Sequence, residues 1–85
     1  MPEISRFLGI VIGMFYREHA PPHFHAVYGS YEITVGIESG VVRGEFPTRA
    51  LRHVLDWSAQ HKEELMENWE KARKFEALSP VEPLE

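Results

Sequence analysis

The stretch His23-Phe24-His25-Ala26-Val27-Tyr28-Gly29-Ser30-Tyr31-Glu32-Ile33-Thr34-Val35-Gly36-Ile37-Glu38 decides the fold. Phe24, Ala26 and Tyr28 alternate with His23, His25 and Val27. After Gly29-Ser30, Tyr31, Ile33, Val35 and Ile37 alternate with Glu32, Thr34, Gly36 and Glu38. Period-two alternation on both sides of a Gly-Ser pair marks a β-hairpin, with the glycine supplying the positive φ that a two-residue turn needs. That turn pairs Tyr28 with Tyr31, Ala26 with Ile33 and Phe24 with Val35, so these six side chains share one face, as a buried sheet face requires. The opposite face sets His25 across from Thr34 and His23 across from Gly36. A second two-residue turn at Ser39-Gly40 would place Arg43 across from Gly36 as well. His23, His25, Thr34 and Arg43 would then surround a glycine that leaves open space.

Upstream, the run Leu-Gly-Ile-Val-Ile-Gly-Met-Phe-Tyr over 8–16 is apolar on both alternating faces, which suits a strand covered on both sides and interrupted at Gly9 and Gly13. Arg17 to Pro22 breaks the pattern, and Pro21-Pro22 makes this a stiff loop. Downstream, Pro47-Thr48 reads as a helix start with a capping hydroxyl. Leu51, Val54 and Leu55, then Leu65, Trp69 and Ala72, form apolar stripes across a polar middle, so one kinked helix or two helices meeting near His61 are expected. The fold class is α+β: an antiparallel meander of about four strands (8–16, 23–28, 31–38, 41–44), followed by the helices (48–61, 62–74) packed on one sheet face. Residues 1–78 form a single domain, and 79–85, beginning Ser-Pro-Val-Glu-Pro, a C-terminal tail.

The chain has 85 residues, a formal charge of −4 and no cysteine. There is thus no disulfide staple and no thiolate for metal or nucleophilic chemistry. The length excludes a dinucleotide-binding fold, and the charge argues against coating nucleic acid by bulk attraction. Residues 63–85 hold three Lys/Arg against seven acids, whereas 1–62 hold six of each, so an anionic ligand meets the first part more easily. With no apolar run long enough to span a bilayer and no basic-then-apolar leader, a cytoplasmic protein with no membrane contact is expected. So small a core gains from extra buried area, which points to a homodimer with Trp57 and Trp69 as candidate contacts.

Arg17-Glu18-His19-Ala20-Pro21-Pro22-His23-Phe24-His25 is the dense chemical segment. His23 and His25 point the same way with Cβ atoms about 7 Å apart, and the loop can swing His19 toward them. Three readings follow. In one, His19, His23 and His25 hold a divalent metal such as zinc, with Glu18 as an added ligand. In another, the same histidines are catalytic acid and base groups acting without metal on a phosphodiester, with Arg17 or Arg43 holding the charge. In the third, the imidazoles are structural and bond loop backbone. Arg43, Arg49 and Arg52 form a candidate nucleic-acid-contacting set. His61, on a stripe with His53 and Trp57, is a further candidate for the histidine site.

Met-Pro-Glu-Ile-Ser-Arg-Phe-Leu-Gly-Ile-Val-Ile at the start, His-Ala-Pro-Pro-His-Phe-His-Ala-Val-Tyr-Gly at 19–29, and Arg-Ala-Leu-Arg-His-Val-Leu-Asp-Trp with Glu-Glu-Leu-Met-Glu-Asn-Trp further on resemble the small prokaryotic "domain of unknown function 4160" family. The resemblance carries His19, Pro21, Pro22, His23, Phe24, His25 and Tyr28 as a unit. It implies a partner, a second small protein encoded by an adjacent gene, and a toxin–antitoxin-like module. It supplies no reaction. The expectation is therefore a component of such a module that contacts RNA or DNA, or its partner protein, through the histidine face, with metal-independent RNA cleavage as its activity. The alternatives are a small metal-binding domain using His19, His23 and His25, and a non-catalytic interaction protein.

Overall fold

The computed structural model describes residues 1–85. Five strands, β1 (Glu3–Phe7), β2 (Ile10–Gly13), β3 (His23–Tyr28), β4 (Tyr31–Gly36) and β5 (Val42–Glu45), are followed by two helices, α1 (Thr48–Gln60) and α2 (Lys62–Arg73). The sheet is an antiparallel meander in the order β1-β2-β3-β4-β5. The central hairpin has the expected register, Tyr28 to Tyr31, Ala26 to Ile33, Phe24 to Val35, His25 to Thr34 and His23 to Gly36.

The single strand expected over 8–16 is instead a chain reversal followed by a short strand. Phe7 pairs with Ile10 across Leu8-Gly9, and both turn residues have positive φ, 52° and 79°. This is the two-residue geometry that matches the twist of the flanking strands. An unbroken apolar run concealed it because Leu8, unusual in that conformation, is a solvent-exposed turn residue. A fifth strand upstream, pairing with β2, is the consequence.

The turn before β5 is also longer than two residues. Gly36 N–H donates to Val41 O and Gly40 N–H to Gly36 O, so Arg43 pairs with Thr34 and not with Gly36. A slip of two preserves side-chain parity, and Arg43 stays on the histidine face. The space beside Gly36 is taken up by the Ser39 hydroxyl, which a Cβ at that position would strike.

Both helices serve one core. Phe24, Ala26, Ile33 and Val35 from the sheet meet Val54, Trp57, Leu65 and Trp69, all buried. The helices part at His61, whose N–H donates to Ser58 O. Pro47 occupies the N-cap of α1 and Thr48 is the first helical residue, so the hydroxyl read as a cap makes no capping bond. Glu63 and Glu64 in the first turn of α2, with Lys71 and Arg73 in its last, complement the helix dipole. Trp57 and Trp69, expected at a dimer contact, are 0% and 2% exposed inside the domain and cannot meet a second copy. No helix is long and apolar enough to cross a membrane.

The C-terminal tail lacks helix and strand but is docked, not frayed. Val81 is buried and its N–H donates to Ile4 O on β1 (2.8 Å). Trp57 Nε1 donates to Glu82 O (2.8 Å), and buried Asn68 exchanges two hydrogen bonds with the Ser79 backbone. Ending the chain after Leu78 exposes Trp57 and orphans these polar groups. At about 1–3 kcal/mol for one unsatisfied group plus a buried valine, the truncated chain should lose several kcal/mol of stability. Urea midpoints for the two chains measure this, and coincident midpoints would reject it.

Candidate functional site

The functional end of the sheet lies where β3 begins. Because successive residues of a strand face opposite sides, His23 and His25 leave Phe24 to the other face and stand together, His25 buried and His23 half-buried. Their ring centroids are 5.5 Å apart. The loop between β2 and β3 folds over them. Phe15 sets its edge against His25 at 4.8 Å, and Glu18 reaches both rings, with Oε1 2.7 Å from His25 Nε2 and Oε2 3.3 Å from His23 Nε2. From the other side, Trp69 of α2 lies 5.2 Å from the His23 ring. The histidine side chains are therefore only 14% and 10% exposed, covered by the loop and, for His23, also by Trp69 of α2.

Each ring is held by its second nitrogen. His23 Nδ1 lies 2.8 Å from Pro21 O, and a carbonyl only accepts, so Nδ1 carries the proton. His25 Nδ1 lies 3.3 Å from Glu32 Oε2, a carboxylate on the neighbouring strand. Both Nε2 atoms are thereby turned toward Glu18. One ligand atom from each of Glu18, His23 and His25 lies within 4.8 Å of the other two.

Partial burial pushes the Glu18 carboxyl up, but hydrogen bonding and charge from His25 and then His23 together outweigh it, and the group titrates below its ordinary value of 4.5. A depressed folded value makes this contribution complete above the unfolded value and lost as pH falls through the folded one. Stability should therefore decline on acidification below pH 4.5, and Glu18→Gln should flatten that decline. Urea unfolding across the acid range tests this, and a variant profile overlaying the parent's would contradict it.

An open cleft of about 710 Å³ adjoins the cluster, lined by Glu18, His19, His23, Thr34, Ser39 and Arg43 among others. The remaining residues singled out from sequence scatter. His19 is exposed on the cleft wall and is not part of the three-ligand cluster. Arg17 turns away, its guanidinium 5.2 Å over the Phe75 ring. Arg43 reaches the cleft, whereas Arg49 and His53 line a separate cavity beside Leu8 and Tyr28, and Arg52 is exposed on α1. His61 packs on Trp57 and bonds Glu64. Glu32 was missed although the hairpin register already put it on His25's face.

Fold and site together define a small α+β domain carrying a two-histidine, one-carboxylate cluster at the end of a meander. The chain belongs to the family described as Domain of unknown function (DUF4160), which matches residues 9–70. Neither the comparison with curated proteins nor that with solved structures gives a match.

Proposed function

We propose that this is a divalent-metal-binding domain in which Glu18, His23 and His25 hold the ion and its open positions face the cleft. The observation that carries the reading is the convergence of three ligand atoms within 4.8 Å, with both imidazoles oriented by acceptors on Nδ1. A histidine that binds metal through one nitrogen characteristically donates its other N–H to a carbonyl or carboxylate. The two contacts of Glu18, 2.7 and 3.3 Å, approach the roughly 3.3 Å between ligand atoms set about 2.0–2.1 Å from a tetrahedral ion. Two nitrogens and one carboxylate suit zinc and the neighbouring transition ions, whereas magnesium and calcium prefer all-oxygen sites.

Metal-free RNA cleavage is less well supported. A general acid and a general base each need a nitrogen free to meet substrate, and here both Nε2 atoms face the same carboxylate. The module with an adjacent-gene partner rests on the family resemblance and adds no residue to the site. Zinc titration by calorimetry into untagged protein, with elemental analysis of the purified chain, tests the proposal. One equivalent bound at micromolar or lower Kd supports it. A folded chain that takes up no zinc, cobalt, nickel or iron(II) refutes it.

A further inference from the structure

We infer that the cleft beside the metal cluster is a binding site for a phosphate ester, with Arg43 as its anion-recognising residue; the inference rests on the metal-binding reading and names the ligand class of that site. Three observations converge. First, Arg43 enters none of the ion pairs in the structure, although it belongs to a chain with thirteen acids against nine Lys/Arg. Its guanidinium fork is thus uncommitted beside the cleft, and such a fork matches the oxygens of a phosphate.

Second, the register fixes its distance from the cluster. His25 pairs with Thr34 and Thr34 with Arg43, so two strand spacings, about 10 Å of backbone, separate Arg43 from His25. A long side chain from one end and a metal ion from the other leave room between them for one tetrahedral oxyanion. Thr34 lies beneath that gap, while His19 and Ser39 add polar groups to its walls.

Third, the wall chemistry is divided. Glu18 is the single carboxylate lining the cleft, and its oxygens are engaged by the histidines. Ala20, Pro21 and the half-exposed Val41 supply an apolar side. A volume of about 710 Å³ exceeds what a bare phosphate fills, so the apolar wall suits the organic part of an ester. A flat carboxylate offers two oxygens, whereas a phosphate ester has enough terminal oxygens to meet the metal and both arms of the fork together.

The test uses the full chain and three calorimetric titrations. Zinc is titrated first, and then phenyl phosphate or benzoate is titrated into the zinc-loaded protein. Phenyl phosphate should bind at least tenfold more tightly than benzoate. Arg43→Gln should weaken phenyl phosphate at least tenfold while leaving the zinc Kd within about twofold, and Arg43→Lys should recover part of the loss. Arg43 is exposed on an edge strand, so the variants should fold. Failure of the folded chain to bind zinc, cobalt, nickel or iron(II) would overturn the metal reading and this inference together. Normal zinc binding with equal phosphate and benzoate affinities, or with no effect of Arg43→Gln, would overturn this inference alone.

Discussion

At the proposed metal site, Glu18→Ala should weaken zinc binding by about 100-fold or more, His23→Ala should do the same, and His19→Ala should leave it unchanged. The expected order follows from which atoms face one another. Glu18 contributes an oxygen within 2.7 Å of His25 and another within 3.3 Å of His23, so it stands at the centre of the cluster. His19 lies on the cleft wall outside it. Glu32 supports His25 from behind, and loss of such an outer partner typically costs about 10–100-fold in metal affinity, so Glu32→Gln should fall between the extremes. Because a metal ion competes with protons for imidazole nitrogens and carboxylates, binding should release protons and weaken toward acid pH. Calorimetry in two buffers of different ionisation enthalpy measures both quantities. Near-UV circular dichroism on each variant separates loss of a ligand from loss of the fold. If His19→Ala cost as much as Glu18→Ala, the loop would be using a different ligand set.

Trp57→Ala is the most destabilising single change expected. Trp57 is fully buried, with Phe7 at 5.4 Å, Phe24 at 5.7 Å and His61 at 5.5 Å by ring centroid. It thus ties β1, β3 and the junction of the helices together, and its indole N–H holds the tail through Glu82 O. Truncating a buried tryptophan costs about 3–5 kcal/mol, which is a large share of the ~5–15 kcal/mol that a domain has in total. A chain this short lies toward the lower end of that range. The variant should be largely unfolded or melt many degrees lower, and Trp57→Phe should keep the packing but release the tail. Urea unfolding reads both. The Trp57→Phe change and truncation after Leu78 should be less than additive, because each removes the same hydrogen bond. A shift below about 1 kcal/mol for Trp57→Ala would mean that the core does not depend on this ring.

How legible each part was depends on the range of the interaction that fixes it. The β3–β4 hairpin was readable because alternation and a two-residue turn are local, and a register error of one would have turned buried Ile33 and Val35 to solvent, while Tyr28 and Tyr31, expected on the buried face, lie exposed at the turn end. Arg43 reached the correct face through a turn of the wrong length, since parity survives a slip of two. The β1–β2 hairpin was hidden because its turn carries Leu8 where Asn or Asp would have announced it. The tail was underestimated because Pro80 and Pro83 signal the end of helix, and nothing local says that Val81 has a slot beside Ile4.

By itself, the amino-acid sequence determined that a meander is followed by helices, that the helical region is interrupted near His61, and that His23 and His25 share the strand face opposite Phe24. These follow from side-chain period and backbone chemistry within a few residues. Only the tertiary structure decided which third group joins the two imidazoles. His19 and Glu18 are neighbours in a loop, and a loop has no period to say which of them points inward. The choice falls to Glu18 because its carboxylate finds two ring nitrogens already oriented by Pro21 and Glu32, a complementarity that exists only after β3 and β4 have paired.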